Sequence, residues 1–160
     1  MAIILFCENG HDLSTHDPIR LGPLRIQDVR QAFRDSQKPR QPFCTVCGIP
    51  TLDSCQRCQT KITCGPRPGY CRQCGKAFPW TETTLKAARE YTDELDISSD
   101  DKDTLKATFG ELTTDTPRTQ LAAHRFMKLM SKIGPTAGDV LTKIIVNVAT
   151  EAAKKAMSGH

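Results

Sequence analysis

The chain has 160 residues, of which 38% are hydrophobic and 6% aromatic, so it has room for two small domains but not for a large continuous apolar core. Residues 1–80 carry 11 Lys and Arg against 6 Asp and Glu, whereas residues 81–160 carry 11 against 12. A net +5 on the first half and −1 on the second falls short of the dense basic face that is typical of nucleic-acid-binding domains.

The N-terminal residues 1–6 are apolar, but the run stops at Cys7 and lacks a basic flank and a small-residue cleavage site. We therefore expect no secretory signal. No apolar run approaches the roughly 20 residues that span a bilayer. Eight cysteines without a secretory signal favour metal-bound thiolates in a reducing cytoplasm over disulfides.

Residues 3–6 predict a short buried strand that leads into a turn containing Cys7, Asn9, Gly10 and His11. Alone, Cys7 would be a small buried residue and His11 an exposed turn residue. Beside the cysteine pairs that follow, the two residues are better interpreted as a pair of metal ligands, with His11 offering a neutral imidazole nitrogen.

Residues 12–42 form a long connection that five Pro and Gly residues punctuate. Apolar residues at 26, 29 and 33 predict a short amphipathic helix there. Six basic residues lie in or near it, but four acids are interspersed, which favours a solvated face over a phosphate-binding one. As a long insertion, the segment is a candidate for determining partner specificity.

Three CxxC pairs follow within residues 44–74, and glycine comes directly after two of them, at Gly48 and Gly75. A two-residue spacer lets a tight turn aim both thiolates at one ion about 2.3 Å away. The glycine can adopt the left-handed conformation that closes such a turn. The three pairs are therefore predicted to be zinc knuckles: Cys44/Cys47, Cys55/Cys58 and Cys71/Cys74.

The four ligand pairs can be grouped in two ways. Sequential grouping gives one site of Cys7, His11, Cys44 and Cys47, and a second, all-cysteine site from the last two CxxC pairs. Cross-braced grouping, as in RING-like domains, would pair the first with the third and the second with the fourth. The short step between Cys47 and Cys55 favours sequential grouping.

Either grouping gives two sites with four protein ligands each, which is typical of structural and not of catalytic zinc. Cys64 is left over and is interpreted as a strand or turn residue between two knuckles, with the alternative that it replaces one of the ligands. At this size, the two ions would take the place of an apolar core.

Phe78, Pro79, Trp80 and Thr81 mark the boundary between the halves at residue 80. The aromatic rings are expected to pack, with Thr81 or Thr83 capping the first helix. The alternative is that Trp80 stacks on a base or a peptide.

Residues 81–160 contain no cysteine and predict four helices with short connections, as in a small bundle. The predicted starts are residues 81–83, Ser98 to Asp101, Thr116–Pro117 and about 137, and the fourth helix extends to about 157. The predicted apolar stripes are Leu85, Ala88, Tyr91 or Thr92, and Leu95; Leu105, Phe109 and Leu112; Leu121, Ala122, Phe126, Leu129, Met130 and Ile133; and Val140, Leu141, Ile144, Ile145, Val148, Ala149 and Ala152. The fold class expected overall is α+β: a small β-rich double zinc ribbon over residues 1–80 followed by helices.

The ligand pattern resembles an uncharacterised bacterial double zinc-ribbon family, one of the domain-of-unknown-function families. The resemblance rests on CxNGH from Cys7 to His11, FCxxCG from Phe43 to Gly48, the Cys55/Cys58 pair, and CxxCGKxFPWTE from Cys71 to Glu82. Residues 114–119 and 151–155 are similar to the helical tail of that family, and segment 12–42 is longer than its usual connection. The resemblance implies the fold and the ligands but no activity.

Two functions remain open, and a third is not expected. The first is a non-catalytic zinc-ribbon adaptor that recognises a protein partner and docks or self-associates through its C-terminal helices. The second is a nucleic-acid-binding regulator. Its phosphate or partner contacts would come from Arg57, Lys61, Arg67, Arg72, Lys76 and Trp80. An enzyme is not expected, because the sequence shows no GxSxG, no phosphate-binding glycine loop and no HExxH.

Overall fold

The structure is a computed structural model, and it describes residues 4–14, 42–63 and 67–158. The chain divides into two compact units, Met1–Pro79 and Trp80–His160. The sequence predicted a boundary at residue 80. We call the first the ribbon unit and the second the helical unit, and the fold is α+β.

In its described part, the ribbon unit is built from turns and very short strands. Strand β1 (Phe6–Cys7) pairs antiparallel with β2 (Thr51–Leu52), so that Cys7 lies opposite Thr51. This pairing joins the N-terminal turn to the segment that follows the first CxxC pair. Isolated bridges close each knuckle at its base: Phe43 with Pro50, Ser54 with Lys61, and Tyr70 with Ala77.

Five helices are described in the rest of the chain. They are α1 (Pro79–Glu94), α2 (Ser99–Leu112), α3 (Thr119–Ile133), α4 (Pro135–Val146) and α5 (Glu151–Met157). Helix α3 packs against α2, α4 and α5. The core they enclose includes Leu85, Ala88, Leu95, Leu105, Phe109, Leu112, Ala122, Phe126, Leu141, Ile145 and Ala153.

Helix α2 begins as its sequence predicts. Ser98 is extended, and its hydroxyl accepts a hydrogen bond from the Asp101 N–H at 3.2 Å, which satisfies one unpaired donor of the first turn. Leu105, Phe109 and Leu112 are spaced on one face, and all three are buried. Capping and spacing together therefore fix this helix.

The prediction of one final helix over 137–157 is wrong, because the described chain has two helices there. Helix α4 ends at Val146, and Thr150 caps α5 with its hydroxyl, which accepts from the Ala153 N–H at 3.2 Å. The Thr150 N–H donates to the Leu112 carbonyl at 3.0 Å. The Thr150 hydroxyl therefore pairs one N–H of the first turn of α5, and the Leu112 carbonyl of α2 pairs the N–H of Thr150. These two bonds replace hydrogen bonds that a continuous helix would have made.

Several predicted helix starts and faces also need correction. Helix α1 starts at Pro79, which suits a first helical position, so Thr81 lies within the helix and is not its cap. Helix α3 starts at Thr119 and not at 116–117, because the Thr119 hydroxyl holds a preceding turn by accepting from the Thr116 N–H. Leu121 and Val140 are exposed, not buried.

None of the helices in the described ranges is long and apolar enough to cross a membrane. The helix predicted around 26–33 lies outside these ranges, as do Cys64 and most of segment 12–42.

Candidate metal centres

The three CxxC pairs adopt one main-chain arrangement. In the first, the Gly48 N–H donates to the Cys44 carbonyl at 2.8 Å, and the Cys44 N–H donates to the Ile49 carbonyl at 2.8 Å. The bonds at the second and third pairs join the equivalent residues at 2.8–2.9 Å. Each knuckle is therefore the same closed turn, and both of its cysteine sulfurs lie in one of the two donor clusters.

The residue that ends each turn is left-handed. Gly48 has φ 71° and Gly75 has φ 68°, as the glycine signal predicts. At the second knuckle Gln59 occupies this position with φ 59°. Among the described residues, no other non-glycine residue has a positive φ. The geometry of the knuckle is thus kept where the glycine is missing, at a backbone cost of about 1–2 kcal/mol.

The Cys7 turn differs in sequence but serves the same purpose. Gly10 has φ 81°, and its N–H donates to the Cys7 carbonyl at 2.7 Å. The His11 N–H donates to the Cys7 Sγ at 3.3 Å. The Asn-Gly turn thereby places the imidazole of His11 beside the sulfur of Cys7.

The first cluster, which we call centre 1, combines this turn with the first knuckle. The His11 Nδ1 lies 3.3 Å from the Cys7 Sγ and 3.6 Å from the Cys44 Sγ. The Cys7 Sγ lies 3.8 Å from the Cys47 Sγ. All four donor atoms are within 4.8 Å of one another.

The second cluster, centre 2, combines the other two knuckles. The Sγ atoms of Cys55 and Cys74 are 3.7 Å apart, and those of Cys58 and Cys71 are 3.5 Å apart. The four sulfurs again lie within 4.8 Å of one another. The structure therefore brings together the eight predicted side chains in the sequential grouping and not in the cross-braced one.

These separations match those of ligands around a tetrahedral metal ion. Metal–sulfur bonds of about 2.3 Å at tetrahedral angles place two sulfurs about 3.8 Å apart, and a sulfur and an imidazole nitrogen about 3.5 Å apart. All seven cysteines in the described ranges are free. Both clusters can thus hold a metal ion with four donors, and the donor set fits a soft divalent cation.

Hydrogen bonds from the turns stabilise some of the thiolates. Burial raises the pKa of the Cys44 thiol, but hydrogen bonds from the N–H groups of Val46 and Cys47 and from the side chains of Cys47 and His11 together lower it from 9.0 to about 6. The hydroxyl and N–H of Thr60 lower the pKa of Cys58 to about 6. Each knuckle therefore supplies partial positive charge to the sulfur that it presents.

Other thiols in the same clusters hold their protons more tightly. The Lys76 N–H lowers the pKa of Cys74, but burial and the surrounding sulfurs raise it to about 11. The Ile49 N–H lowers the pKa of Cys47 in the same way. Burial and the neighbouring sulfurs outweigh this effect, so that the pKa of Cys47 is raised. A bound divalent cation would reverse this repulsion, because a coordinating thiol loses its proton to the field of the metal.

The other predicted contact residues are dispersed over the ribbon and are partly engaged. The Lys61 Nζ forms an ion pair with Asp53 at 2.7 Å, and the Arg67 Nη1 donates to the Gly10 carbonyl at 2.7 Å. Three others are exposed, namely Arg57, Arg72 and Lys76. Trp80 is only 2% exposed, so its ring does not offer a stacking surface.

A sequence model of the bacterial family described as "Uncharacterized protein conserved in bacteria (DUF2321)" matches residues 24–157. The chain belongs to this family. The family match confirms the resemblance, and it includes all of centre 2, the first knuckle and the five helices. The match begins after Cys7 and His11, so two of the four donors of centre 1 lie outside the matched residues. No curated protein and no solved structure matches the chain.

Sequence reasoning missed three features of the ribbon. The left-handed Gln59 had a readable signal, because the other two knuckles carry glycine at that position. The exposure of Phe43 and Val46 had none, since apolar residues are ordinarily expected inside. The bond from Arg67 to Gly10 joins residues 57 positions apart, and no local pattern predicts such a contact.

Proposed function

We propose that this member of the DUF2321 family is a non-catalytic zinc-ribbon adaptor of the bacterial cytoplasm. Two structural zinc ions would hold the ribbon unit, and the surface of its first knuckle would recognise a protein partner. Reduced cysteines with metal-ligand geometry support a reducing compartment.

The donor sets support zinc in a structural role. Three thiolates with an imidazole, and four thiolates, are ligand sets of structural zinc sites. Four protein donors complete a tetrahedron, whereas catalytic zinc keeps one position for water or substrate. The N–H groups that bond to the sulfurs fix the donors further, as outer-shell contacts do at metal sites.

The observation that carries the adaptor proposal is the exposed apolar surface of the first knuckle. Phe43 is 57% exposed and Val46 is 69% exposed, and Pro42 and Pro50 beside them are exposed as well. We call these four residues the knuckle tip. Phe43 and Val46 contribute little to the core of the ribbon, so folding alone does not explain their apolar character.

The second knuckle is an internal comparison, because its main chain is the same. The residues equivalent to Phe43, Val46 and Pro50 are Ser54, Arg57 and Lys61. At matched positions, one knuckle is therefore apolar and the other polar or charged. A turn of this kind does not itself require apolar tip residues, which supports a specific contact at the first knuckle.

The partner we propose offers an apolar pocket that takes the Phe43 ring with Val46 at its rim. Aromatic residues, Phe among them, are enriched in protein interfaces, and a few interface residues carry most of the binding free energy. The tip is small, so it would act as an anchor within a larger contact.

The test is affinity capture with the zinc-loaded full chain as bait. We expect Phe43→Ser with Val46→Ser to lose the captured partner, while the zinc content stays at two per chain. The matched control is Ser54→Ala with Arg57→Ala, which changes the same positions of the second knuckle and should leave capture unchanged. Binding of the purified partner should weaken at least 30-fold in the first variant, as expected for a lost anchor of about 2 kcal/mol.

Two outcomes would contradict the proposal. Equal capture by the tip variant and the wild type would remove the knuckle tip as the recognition surface. One metal per chain, or iron in place of zinc by mass spectrometry, would overturn the assignment of two structural zinc ions.

Self-association through the C-terminal helices has less support. Leu141, Ile145, Ala149 and Ala153 are buried within the helical unit, so the stripe of the last two helices is already used. The exposed large apolar residues of α3 and α4 are Leu121, Met127, Val140 and Val146, and exposed apolar residues are common on monomeric proteins.

The nucleic-acid alternative rests on exposed Arg57, Arg72 and Lys76, and it is weakened by the engagement of Lys61 and Arg67 and by the burial of Trp80. Phosphate contacts impose a steep dependence of affinity on salt. Binding that falls steeply with salt and is lost in Arg57→Ala with Arg72→Ala would favour this alternative over the adaptor.

A further inference from the structure

We propose that Arg67 is a positioning residue that couples the two metal centres, so that metal at centre 2 strengthens metal binding at centre 1. This inference rests on the two metal centres of the proposed function. Arg67 lies between Cys58 and Cys71 of centre 2, while its hydrogen-bond acceptor lies between Cys7 and His11 of centre 1.

The bond acts on a single peptide group. The Arg67 Nη1 donates to the Gly10 carbonyl at 2.7 Å, and the N–H of the same peptide, that of His11, donates to the Cys7 Sγ at 3.3 Å. A peptide group is planar, so fixing its carbonyl also fixes the direction of its N–H. Arg67 thereby orients the hydrogen bond to the Cys7 sulfur and the backbone of His11, and both of these residues are donors of centre 1.

Charge adds to this geometry. A guanidinium bond is charge-assisted and about twice as strong as a neutral one, and it polarises the peptide so that its N–H donates more strongly. The acceptor is the carbonyl of buried Gly10, and a buried carbonyl needs a hydrogen-bond partner. Without Arg67, we expect the Gly10–His11 peptide to rotate more freely and the imidazole to lose its fixed position.

A second hydrogen bond also joins the segment of centre 2 to the Cys7 turn. The Gln56 Nε2 donates to the Glu8 Oε1 at 3.1 Å, from the second knuckle to the Cys7 turn. Both donors thus come from the segment between Cys55 and Cys74, and both acceptors come from the turn between Cys7 and His11. Because the Gln56 contact is exposed, Arg67 is expected to carry most of the coupling.

Cobalt(II) titration of the metal-free, reduced full chain tests the proposal. Cobalt d–d bands of a site with three sulfurs and a nitrogen lie at shorter wavelength than those of a four-sulfur site, so both centres are seen at once. We expect Arg67→Met to lower the cobalt affinity of centre 1 about 10-fold or more, as outer-shell changes do, and to leave the spectrum of centre 2 unchanged.

The control is Arg72→Met, which removes an exposed guanidinium from the third knuckle and should leave both affinities unchanged. Cys71→Ser disables centre 2 and should weaken centre 1. If Arg67 carries this coupling, adding Arg67→Met to Cys71→Ser should weaken centre 1 little further, since the two changes are then non-additive.

The outcomes separate the proposal from the function on which it rests. Absence of either cobalt spectrum in the wild type would overturn the two-centre assignment and the coupling with it. Two normal spectra with an unchanged centre-1 affinity in Arg67→Met would overturn only the coupling. Equal weakening by Arg67→Met in the presence and absence of Cys71→Ser would make Arg67 a local support and overturn the link between centres.

Discussion

Three left-handed residues end the three knuckles, and they show how much of the ribbon depends on single positions. A Cβ built on Gly48 or Gly75 meets no atom within 4 Å. A side chain at either position would therefore cause no clash, and its cost would come from the backbone conformation alone. These two positions therefore separate the cost of backbone strain from the cost of packing.

We expect Gly48→Ala and Gly75→Ala each to cost about 1–2 kcal/mol, because an L-residue with a Cβ resists the left-handed conformation. Metal binding is linked to folding of the turn, so the apparent zinc affinity of the affected centre should fall roughly 5- to 30-fold. Competition with a chelator measures this affinity, and Gly48→Ala should act on centre 1 and Gly75→Ala on centre 2.

Gly110 provides the control, since a Cβ there also meets nothing within 4 Å but the residue lies inside helix α2. Gly110→Ala should stabilise the helical unit by about 0.5–1 kcal/mol. Unchanged zinc affinity in Gly48→Ala would contradict this prediction, because it would show that a side chain at this position adds no backbone cost to the turn.

The donor residues are the part of the site that the sequence predicts best. The spacing of the CxxC pairs is a direct consequence of the turn that aims two sulfurs at one ion, so the ligands can be found without the fold. Arg67 could not be found in this way. Its role comes from a contact across the ribbon, and one arginine among several gives no signal of which one is engaged.

At the scale of elements, helix α5 depends on one cap. It has seven residues, fewer than an isolated helix needs in water, and its first turn is held by the Thr150 hydroxyl. Packing of Ala153 in the core supplies the remainder. A short helix of this kind is sensitive to the loss of its cap.

Thr150→Ala should therefore destabilise the helical unit by about 1 kcal/mol. The N–H of residue 150 would still reach the Leu112 carbonyl, so the change isolates the side-chain cap. Urea unfolding followed by circular dichroism measures the difference, and Thr150→Ser, which keeps the hydroxyl, should restore most of it. Equal loss in both variants would point to the threonine methyl group instead of the cap.

Helix positions were predictable where apolar spacing agreed with a start signal, as at Ser98. The break between α4 and α5 was not predicted, because the spacing of Ile145, Val148 and Ala149 continues as in a single helix. Tertiary contacts decide the outcome: the bond from Thr150 to Leu112 exists only when α2 is in place.

On the scale of the whole chain, the two units are stabilised by different means. The helical unit has a buried core formed by residues 85–157. In its described residues, the ribbon unit has short strands and few large buried side chains, and its two clusters of donors occupy the place of a core. Metal removal should therefore act on one unit far more than on the other.

We expect a strong chelator to unfold the ribbon unit of the full chain, because a structural zinc site contributes about 10–16 kcal/mol of apparent binding free energy. The helical signal in far-ultraviolet circular dichroism should be retained, while the amide resonances of residues 42–63 collapse to unfolded positions in nuclear magnetic resonance spectra. Readdition of zinc is the control for reversibility. Loss of the helical signal together with the ribbon would show that the helices depend on the metal.

The repeated knuckle makes the ribbon modular. Each knuckle is closed by its own main-chain bonds, and the two residues between its cysteines take no part in them. Replacing Thr45 and Val46 by Gln and Arg, which stand at Gln56 and Arg57 of the second knuckle, would therefore change the surface of the first knuckle and keep its main-chain hydrogen bonds. A chain built from such turns can present a different surface after substitutions at a few positions between the cysteines, while the metal ligands stay the same.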